Sequence, residues 1–385
     1  MKNIMRILHI GEFNFENDTG SGTAVFSLIQ GLRQFETRVK VIKGYSKPTP
    51  NEIRKLKAIG AEIDFIGGTK KQSYLRLKEE CNRILAWQPD VVHFHSAFIP
   101  LHPLIAFELR KKGIPYIITT HGALDMMVLK RNQLKKKVYM NILEMKYFEG
   151  ASGFVALSKG ERDDILKLSP MANINIIPNA ISLDTIEFCN KAFTLRKLLT
   201  SKKINALFLG RYDVYQKGID FLINLIAQLQ KNDIPIKLET HGVEPIRRMG
   251  QINEIRGNNS NVNILGPVYG KEKLEVFIQS NMYMQTSRWE GFGMSIVEAM
   301  ASGLPVVVSE TMNIAPFVKD SEGGIVVPFD ILEATDILKN ILDDEKLLNK
   351  MGANGRKYVL KNLNPQTVAS KTKDFYKSII ECQPN

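Results

Sequence analysis

The chain has 385 residues, 44% of them hydrophobic and 24% charged, with 27 Gly, 16 Pro and a formal net charge of +12. That length suits two domains of ordinary size better than one, and the composition excludes a disordered, collagen-like or coiled-coil chain. No apolar run approaches the roughly 18 to 20 residues that cross a bilayer, no signal-peptide pattern opens the chain, and the three cysteines (Cys81, Cys189, Cys382) are too scattered for a disulfide framework or zinc knuckle, so a cytoplasmic globular protein is expected.

Strand-like and helix-like segments alternate almost from the first residue. Arg6 to Ile10 reads as a strand, Ser21 to Phe35 as an amphipathic helix and Arg38 to Ile42 as a strand. Short apolar runs follow at Val91 to Phe94, Tyr116 to Thr119 and Gly153 to Leu157, each preceded by a helical stretch: Tyr74 to Trp87, Leu104 to Lys112 and Gln133 to Glu149. Periodicity fades after Ile176-Ile177-Pro178-Asn179 and resumes at Ala206 to Leu209, with a helix from Gly218 to Lys231. Further strands are expected at Ile236 to Glu239, Val262 to Leu265, Met282 to Gln285, Val306 to Val308 and Ile325 to Val327, with helices at Lys271 to Gln279 and Met294 to Ala301. The end is helical: Ile331 to Leu342, Glu345 to Leu360, and Gln366 to Glu381 behind Pro365. This βαβ rhythm predicts an α/β protein with two tandem Rossmann-like, doubly wound parallel-sheet domains facing a cleft, over 1–183 and 184–364, and a last helix, 365–385, crossing back to the first.

Several chemistries are excluded by what is missing. The first strand-to-helix loop reads Gly20-Ser21-Gly22-Thr23-Ala24-Val25, with valine where a dinucleotide fingerprint needs its third glycine, and there is no P-loop. No D-x-D occurs to hold a divalent cation against a diphosphate. His93-Phe94-His95 puts two imidazoles on one face of a strand, but no matching ligand cluster is readable elsewhere, so both are expected to line the cleft and no metal site is assigned.

The richest stretch is Arg288-Trp289-Glu290-Gly291-Phe292-Gly293-Met294-Ser295-Ile296-Val297-Glu298-Ala299-Met300-Ala301-Ser302-Gly303-Leu304-Pro305. It follows a strand and opens a helix, so backbone amides from Phe292 through Gly293 and Met294 to Ser295 can meet an anion or hydroxyl. Glu290 and Glu298 can flank one pocket, and paired carboxylates suit a polyol, although Glu298 alone would more simply pair locally. Arg211 and Lys217 fall in the loop before the helix at Gly218. Singly each would be a surface charge; together, with no D-x-D, they can receive a diphosphate.

This pattern resembles the E-x-x-x-x-x-x-x-E signature of retaining, nucleotide-sugar-dependent glycosyltransferases of the glycogen-synthase-like GT-B type, specifically their fourth family. The resemblance extends in order to His121-Gly122, Ile177-Pro178-Asn179, Gly210-Arg211 with Lys217-Gly218, and Gly323-Gly324 with Val326-Val327-Pro328. It implies a nucleotide diphosphate sugar as co-substrate with no further cofactor, catalytic roles for His121, Glu290, Arg211 and Lys217, and approach of Gly20 and Gly22 to the diphosphate. Glu298 would then hold the ribose. Departures lie in the loops: Ser21 separates Gly20 from Gly22, five residues separate Arg211 from Lys217, and Ala180 follows Asn179. A sugar-nucleotide epimerase and a silent subunit that stabilises a transferase are the alternatives.

The charge is uneven. Residues 1–180 carry 27 basic and 17 acidic side chains, +10 of the +12, and nine basic residues lie between Arg110 and Lys146 against Asp125 and Glu144. Lys135, Lys136 and Lys137, with Asp125, are assigned to the acceptor or membrane side, where a glycan or lipid-linked acceptor and an anionic surface are the expected partners. Without aromatic interleaving or a recognisable motif, nucleic acid is not.

Overall fold

The computed structural model describes residues 4–15, 20–66, 76–130, 139–196, 204–243 and 250–382. The chain divides into two compact units, Met1–Ser182 with Asn364–Asn385, and Leu183–Leu363.

Among the described residues, the first unit holds a seven-stranded parallel sheet: β1 (Met5–Gly11), β2 (Thr37–Lys43), β3 (Glu62–Phe65), β4 (Val91–His95), β5 (Tyr116–Thr119), β6 (Gly153–Ala156) and β7 (Ile174–Ile176), in the order β3-β2-β1-β4-β5-β6-β7. Side chains alternate across it. Leu8, Ile10, Val92, Phe94 and Ile118 enter one apolar layer with Leu101, Ile105 and Leu109 of the helix Leu101–Lys111. Ile7, Val91, Ile117 and Val155 enter the opposite layer, beneath the helices Gly20–Leu32 and Pro365–Glu381. Both faces are dry, which is why these strands read as nearly continuous apolar runs.

The helix Pro365–Glu381 belongs to this first unit. Asn364 caps it by accepting from the Thr367 N–H at 2.9 Å, and Pro365 fills the first turn, where a missing N–H costs nothing. It packs against Gly20–Leu32 so closely that a Cβ on Gly31 would sit 2.1 Å from the Pro365 carbonyl oxygen and 2.7 Å from the Ala369 Cβ.

The second unit holds six parallel strands among the described residues: β8 (Ile204–Leu209), β9 (Ile236–His241), β10 (Val262–Leu265), β11 (Met282–Gln285), β12 (Val306–Ser309) and β13 (Gly324–Val327), ordered β10-β9-β8-β11-β12-β13. In each sheet the order reverses between neighbouring strands, β1 and β4 in the first and β8 and β11 in the second. Loops diverge at the carboxyl end of such a switch point and leave room for a ligand.

Several elements differ from the sequence expectation. The edge strands β3 and β7 and the helices Pro50–Ala58, Lys159–Leu168 and Leu183–Leu195 were not expected. The edge strands are only partly buried, so their apolar pattern is weak, and Leu183–Leu195 buries only Cys189 and Ala192, too little to print a stripe. The expected helix Tyr74 to Trp87 is Leu77–Trp87 within the described residues. Of Gln133 to Glu149, the part up to residue 138 lies outside them; the rest is a π-helical turn, Met140–Glu144, running into an α-helix, Met145–Glu149. Lys217 is not in a loop but ends a short helix, Val214–Lys217.

Gly31→Ala should destabilise the first unit by about 1–3 kcal/mol, because overlap with the Pro365 carbonyl outweighs the roughly 1 kcal/mol of helix propensity that alanine adds. Denaturant unfolding followed by Trp87 fluorescence in a Trp289→Phe background reads this unit, and a raised midpoint would refute the packing argument.

Candidate active site

In the second unit the chemistry gathers where β8 and β11 end. Lys217, buried at the end of its short helix, forms an ion pair through Nζ with Oε2 of Glu290. The next residue, Gly218, has φ +61, and a Cβ there would lie 1.9 Å from the Thr286 carbonyl oxygen, so only glycine lets the two segments meet. Glu290 also accepts from Gln285 Nε2 at 3.1 Å, while Gln285 Oε1 accepts from Tyr283 at 2.9 Å and Ser295 at 3.0 Å. Arg288 makes a two-point bond to Asp220 at 2.8 and 2.7 Å and lies over the rings of Tyr215 and Phe329, so its charge is committed to structure. Arg211 is exposed and has no hydrogen bond or ion pair among the described residues.

Gly293 (φ 78) is the N-cap of the helix Met294–Ala301, and Met294 and Ser295 form its first turn; Phe292 is buried edge-on to Phe317. No acidic side chain occupies that turn, so its amides remain available to an anion. Glu298, buried on the same helix, pairs with Lys273 at 2.9 Å. The two carboxylates therefore do not share one partner: each has its own lysine.

In the first unit the polar groups gather on β1, β4 and β5. Register sets His9 of β1 beside His93 of β4, and His95 beside Thr119 of β5, on the face under Gly20–Leu32 and Pro365–Glu381. His9 Nδ1 lies 2.9 Å from His95 Nε2, and His95 Nδ1 lies 3.0 Å from His121 Nε2. His93 bonds Tyr376 of the last helix through Nδ1 and Thr119 through Nε2, both at 2.7 Å. His93 and His95 therefore lie in the core rather than at an open surface, and His9 joins them. The three rings bring one nitrogen each within 4.8 Å of one another, close enough for a metal ion, but hydrogen bonds already occupy both nitrogens of His93 and His95. Burial pushes His121 down to about 4 and His9 to about 3, and His93 and His95 lie well below the ordinary range.

His121 itself takes a left-handed backbone (φ 51), held by a residue that sequence reasoning missed. Glu161 is buried and accepts from Thr120 Oγ1 at 2.5 Å, the Gly122 N–H at 2.6 Å and the Leu157 N–H at 2.7 Å. The only signal for it in sequence is Ser158-x-x-Glu161, a helix-start pattern that does not say what the carboxylate will grip. Gly20 opens its helix exposed and Gly22 is buried. Asp125 caps the helix Met126–Lys130 by accepting from the Met127 N–H at 2.8 Å, which commits it to local structure. Lys135, Lys136 and Lys137 lie outside the described residues.

Two family models match almost end to end: "Glycosyltransferase Family 4" over residues 19–185 and "Glycosyl transferases group 1" over residues 191–358. The chain belongs to the family 4 glycosyltransferases of GT-B type. A Klebsiella pneumoniae relative described as an uncharacterized 41.2 kDa protein in the cps region is 30% identical over 251 residues, 63% of this chain and 66% of that protein. The Escherichia coli UDP-Gal:alpha-D-GlcNAc-diphosphoundecaprenol alpha-1,3-galactosyltransferase is 26% identical over 300 residues, 74% of this chain and 75% of that one. Among solved structures, Anabaena HepE in complex with UDP superposes with a TM-score of 0.75 at 16% identity, covering 97% of this chain and 100% of that one, a likeness of fold.

One buried carboxyl near this region titrates in an accessible range. Glu144 of the π-helical turn accepts from the Phe98 N–H at 2.8 Å in the loop after β4, and burial raises it to about 7. The native state then holds a proton that the unfolded chain has released, so this group's contribution to stability falls as pH rises from about 4.5 to 7 and levels off above. Glu144→Gln should flatten that interval, by an amount on the order of 3 kcal/mol, in unfolding midpoints compared across pH. Parallel curves for the two proteins would show that Glu144 is already ionised.

Proposed function

We propose that this glycosyltransferase moves a sugar from a nucleotide diphosphate sugar to a hydroxyl of a glycan or lipid-linked glycan, with retention at the anomeric carbon and no metal requirement, in cell-surface polysaccharide or glycoconjugate synthesis. The observation that carries the reading is the Lys217–Glu290 pair beside Arg211, an exposed cation without a partner among the described residues, at the β8–β11 switch point. A leaving diphosphate needs positive charge where its own charge grows, and protein cations supply it without a D-x-D-bound ion.

In this mechanism Arg211 and Lys217 hold the diphosphate with the amides of Gly293 to Ser295. The bond from the anomeric carbon to the diphosphate oxygen breaks, the acceptor oxygen bonds on the same face, and the acceptor proton passes to the departing phosphate oxygen. Glu290 orients both Lys217 and the sugar, Glu298 accepts from ribose hydroxyls, and His121 serves the reacting sugar. Gly20 and Gly22 give the backbone room near the phosphates. The first unit serves the acceptor.

A lipid-linked acceptor would place the enzyme at the inner face of the cell membrane as a peripheral protein. The reading is supported by the acceptor named for the Escherichia coli relative and by the basic excess of residues 1–180. Exposed apolar side chains, Phe107 and Ile142, occur in the same stretch as the exposed Lys111, Lys112 and Lys146. No helix among the described residues is long and apolar enough to cross a membrane.

Arg211→Ala and Lys217→Ala should each lower kcat by roughly 10²- to 10³-fold, about 2–4 kcal/mol of transition-state stabilisation, and wild-type turnover should persist in EDTA. Transfer from a panel of radiolabelled nucleotide sugars to lipid extract is the assay. Near wild-type rates in both folded variants would remove the two cations from the mechanism, and loss in EDTA restored by Mg²⁺ would remove metal independence. Changing Lys135, Lys136 and Lys137 to Glu should weaken salt-sensitive sedimentation with anionic liposomes, each lysine being worth up to about 1 kcal/mol. Equal pelleting of variant and wild type would make that cluster a solvated face.

A further inference from the structure

We propose that His95 and His9 are positioning residues that set the proton of His121: the three imidazoles form one row in which His9 donates to His95, His95 donates to His121, and His121 keeps its own proton on Nδ1. The inference rests on the reading of His121 as a residue of the transfer reaction, but its physical argument uses only the first unit.

A neutral imidazole has one N–H and one lone pair, so a row of three joined by two hydrogen bonds has only two consistent directions. His95 uses both nitrogens, at 2.9 Å to His9 and 3.0 Å to His121, and must donate with one and accept with the other. The end of the row decides between the directions. His9 Nε2 is buried and has no hydrogen-bond partner among the described residues. In one direction it carries an N–H with nothing to receive it; in the other it is a bare lone pair. Orphaned buried donors are rarer in native proteins than under-used acceptors, so the row runs from His9 to His121.

A proton added to the row would put a charge beside the buried rings of His9 and His95 and the half-buried ring of His121, and desolvation holds all three below the ordinary histidine range. The neighbours keep the geometry. His93 stacks on His95 with ring centroids 4.1 Å apart and is fixed by Tyr376 and Thr119, while Glu161 holds the Thr120 hydroxyl and the Gly122 N–H on either side of His121. His121 is therefore delivered as a neutral hydrogen-bond donor through Nδ1. It is suited to a sugar hydroxyl or an oxygen gaining negative charge, and it is not a proton acceptor at that nitrogen.

The test is long-range ¹H–¹⁵N correlation NMR on the whole chain labelled at its 6 histidines. Wild-type His121 should show an unprotonated Nε2 and a protonated Nδ1, unchanged from about pH 5.5 to 8. His95→Asn keeps an N–H near the Nδ1 position and should preserve that tautomer with kcat within roughly threefold of wild type. His95→Asp offers only an acceptor: His121 should move its proton to Nε2, gain a pKa nearer neutrality that enters the pH–rate profile, and lose kcat by roughly tenfold or more. A wild-type His121 protonated on Nε2, or the same His121 state in the Asn and Asp variants, would overturn the proposal. Because the tautomer is read without substrate, that failure is distinct from failure of the transferase reading, which the nucleotide-sugar assay reports.

Discussion

Strands that run parallel and are buried on both faces have only their carboxyl-terminal rim on which to present chemistry. Both sheets obey this constraint, and most of the candidate site follows from it. β8 and β11 lead into the segments that carry Arg211, Lys217 and Glu290, and β5 leads directly into the turn of His121. The helices behind the rim bury the apolar faces that make the sheets stable, and their first turns bring amides to the place where the strand order reverses.

Charge in the second unit is sorted by what each cation already holds. Arg288 is locked to Asp220 and two aromatic rings, and Lys273 to Glu298. Lys217 and Glu290 are nearly buried together, an arrangement that contributes little net stability because desolvation offsets attraction. Such a pair is more intelligible as part of a site than as a brace, since a ligand that supplies negative charge to Lys217 would release Glu290 for hydroxyl groups. Arg211, without a partner among the described residues, needs no release.

The first unit also places polarity inside the sheet, behind its rim. His9, His95 and His121 form one hydrogen-bonded row, and His93, stacked on His95, bonds Tyr376 and Thr119, in a layer otherwise apolar. Such a network is stable only when nearly complete, because each missing partner leaves a desolvated group unpaid. It ties the last helix, through Tyr376, to His93 of β4, the strand that also carries His95. The positive φ of His121 persists because its neighbours on both sides are held by Glu161.

Much of this was legible in the sequence. Alternation of strand and helix periodicity carries the doubly wound architecture, because burial on both faces writes itself as short apolar runs; the spacing of Glu290, Gly293 and Glu298 carries a helix N-terminus flanked by carboxylates. What could not be read is who pairs with whom. Lys217 meets Glu290 and Lys273 meets Glu298 because strands and helices distant in sequence end side by side, and no local pattern encodes that meeting. His9 is an ordinary residue in an apolar strand until sheet order sets β1 beside β4, when register puts it against His93 and His95. Glu161 reads as the third residue of a helix cap and becomes the anchor of the His121 turn only when the end of β6 lies beside that of β5. Periodicity and composition are local quantities and determine elements and fold class; hydrogen-bond partners and buried charge pairs are properties of neighbours in space, and only the tertiary structure decides them.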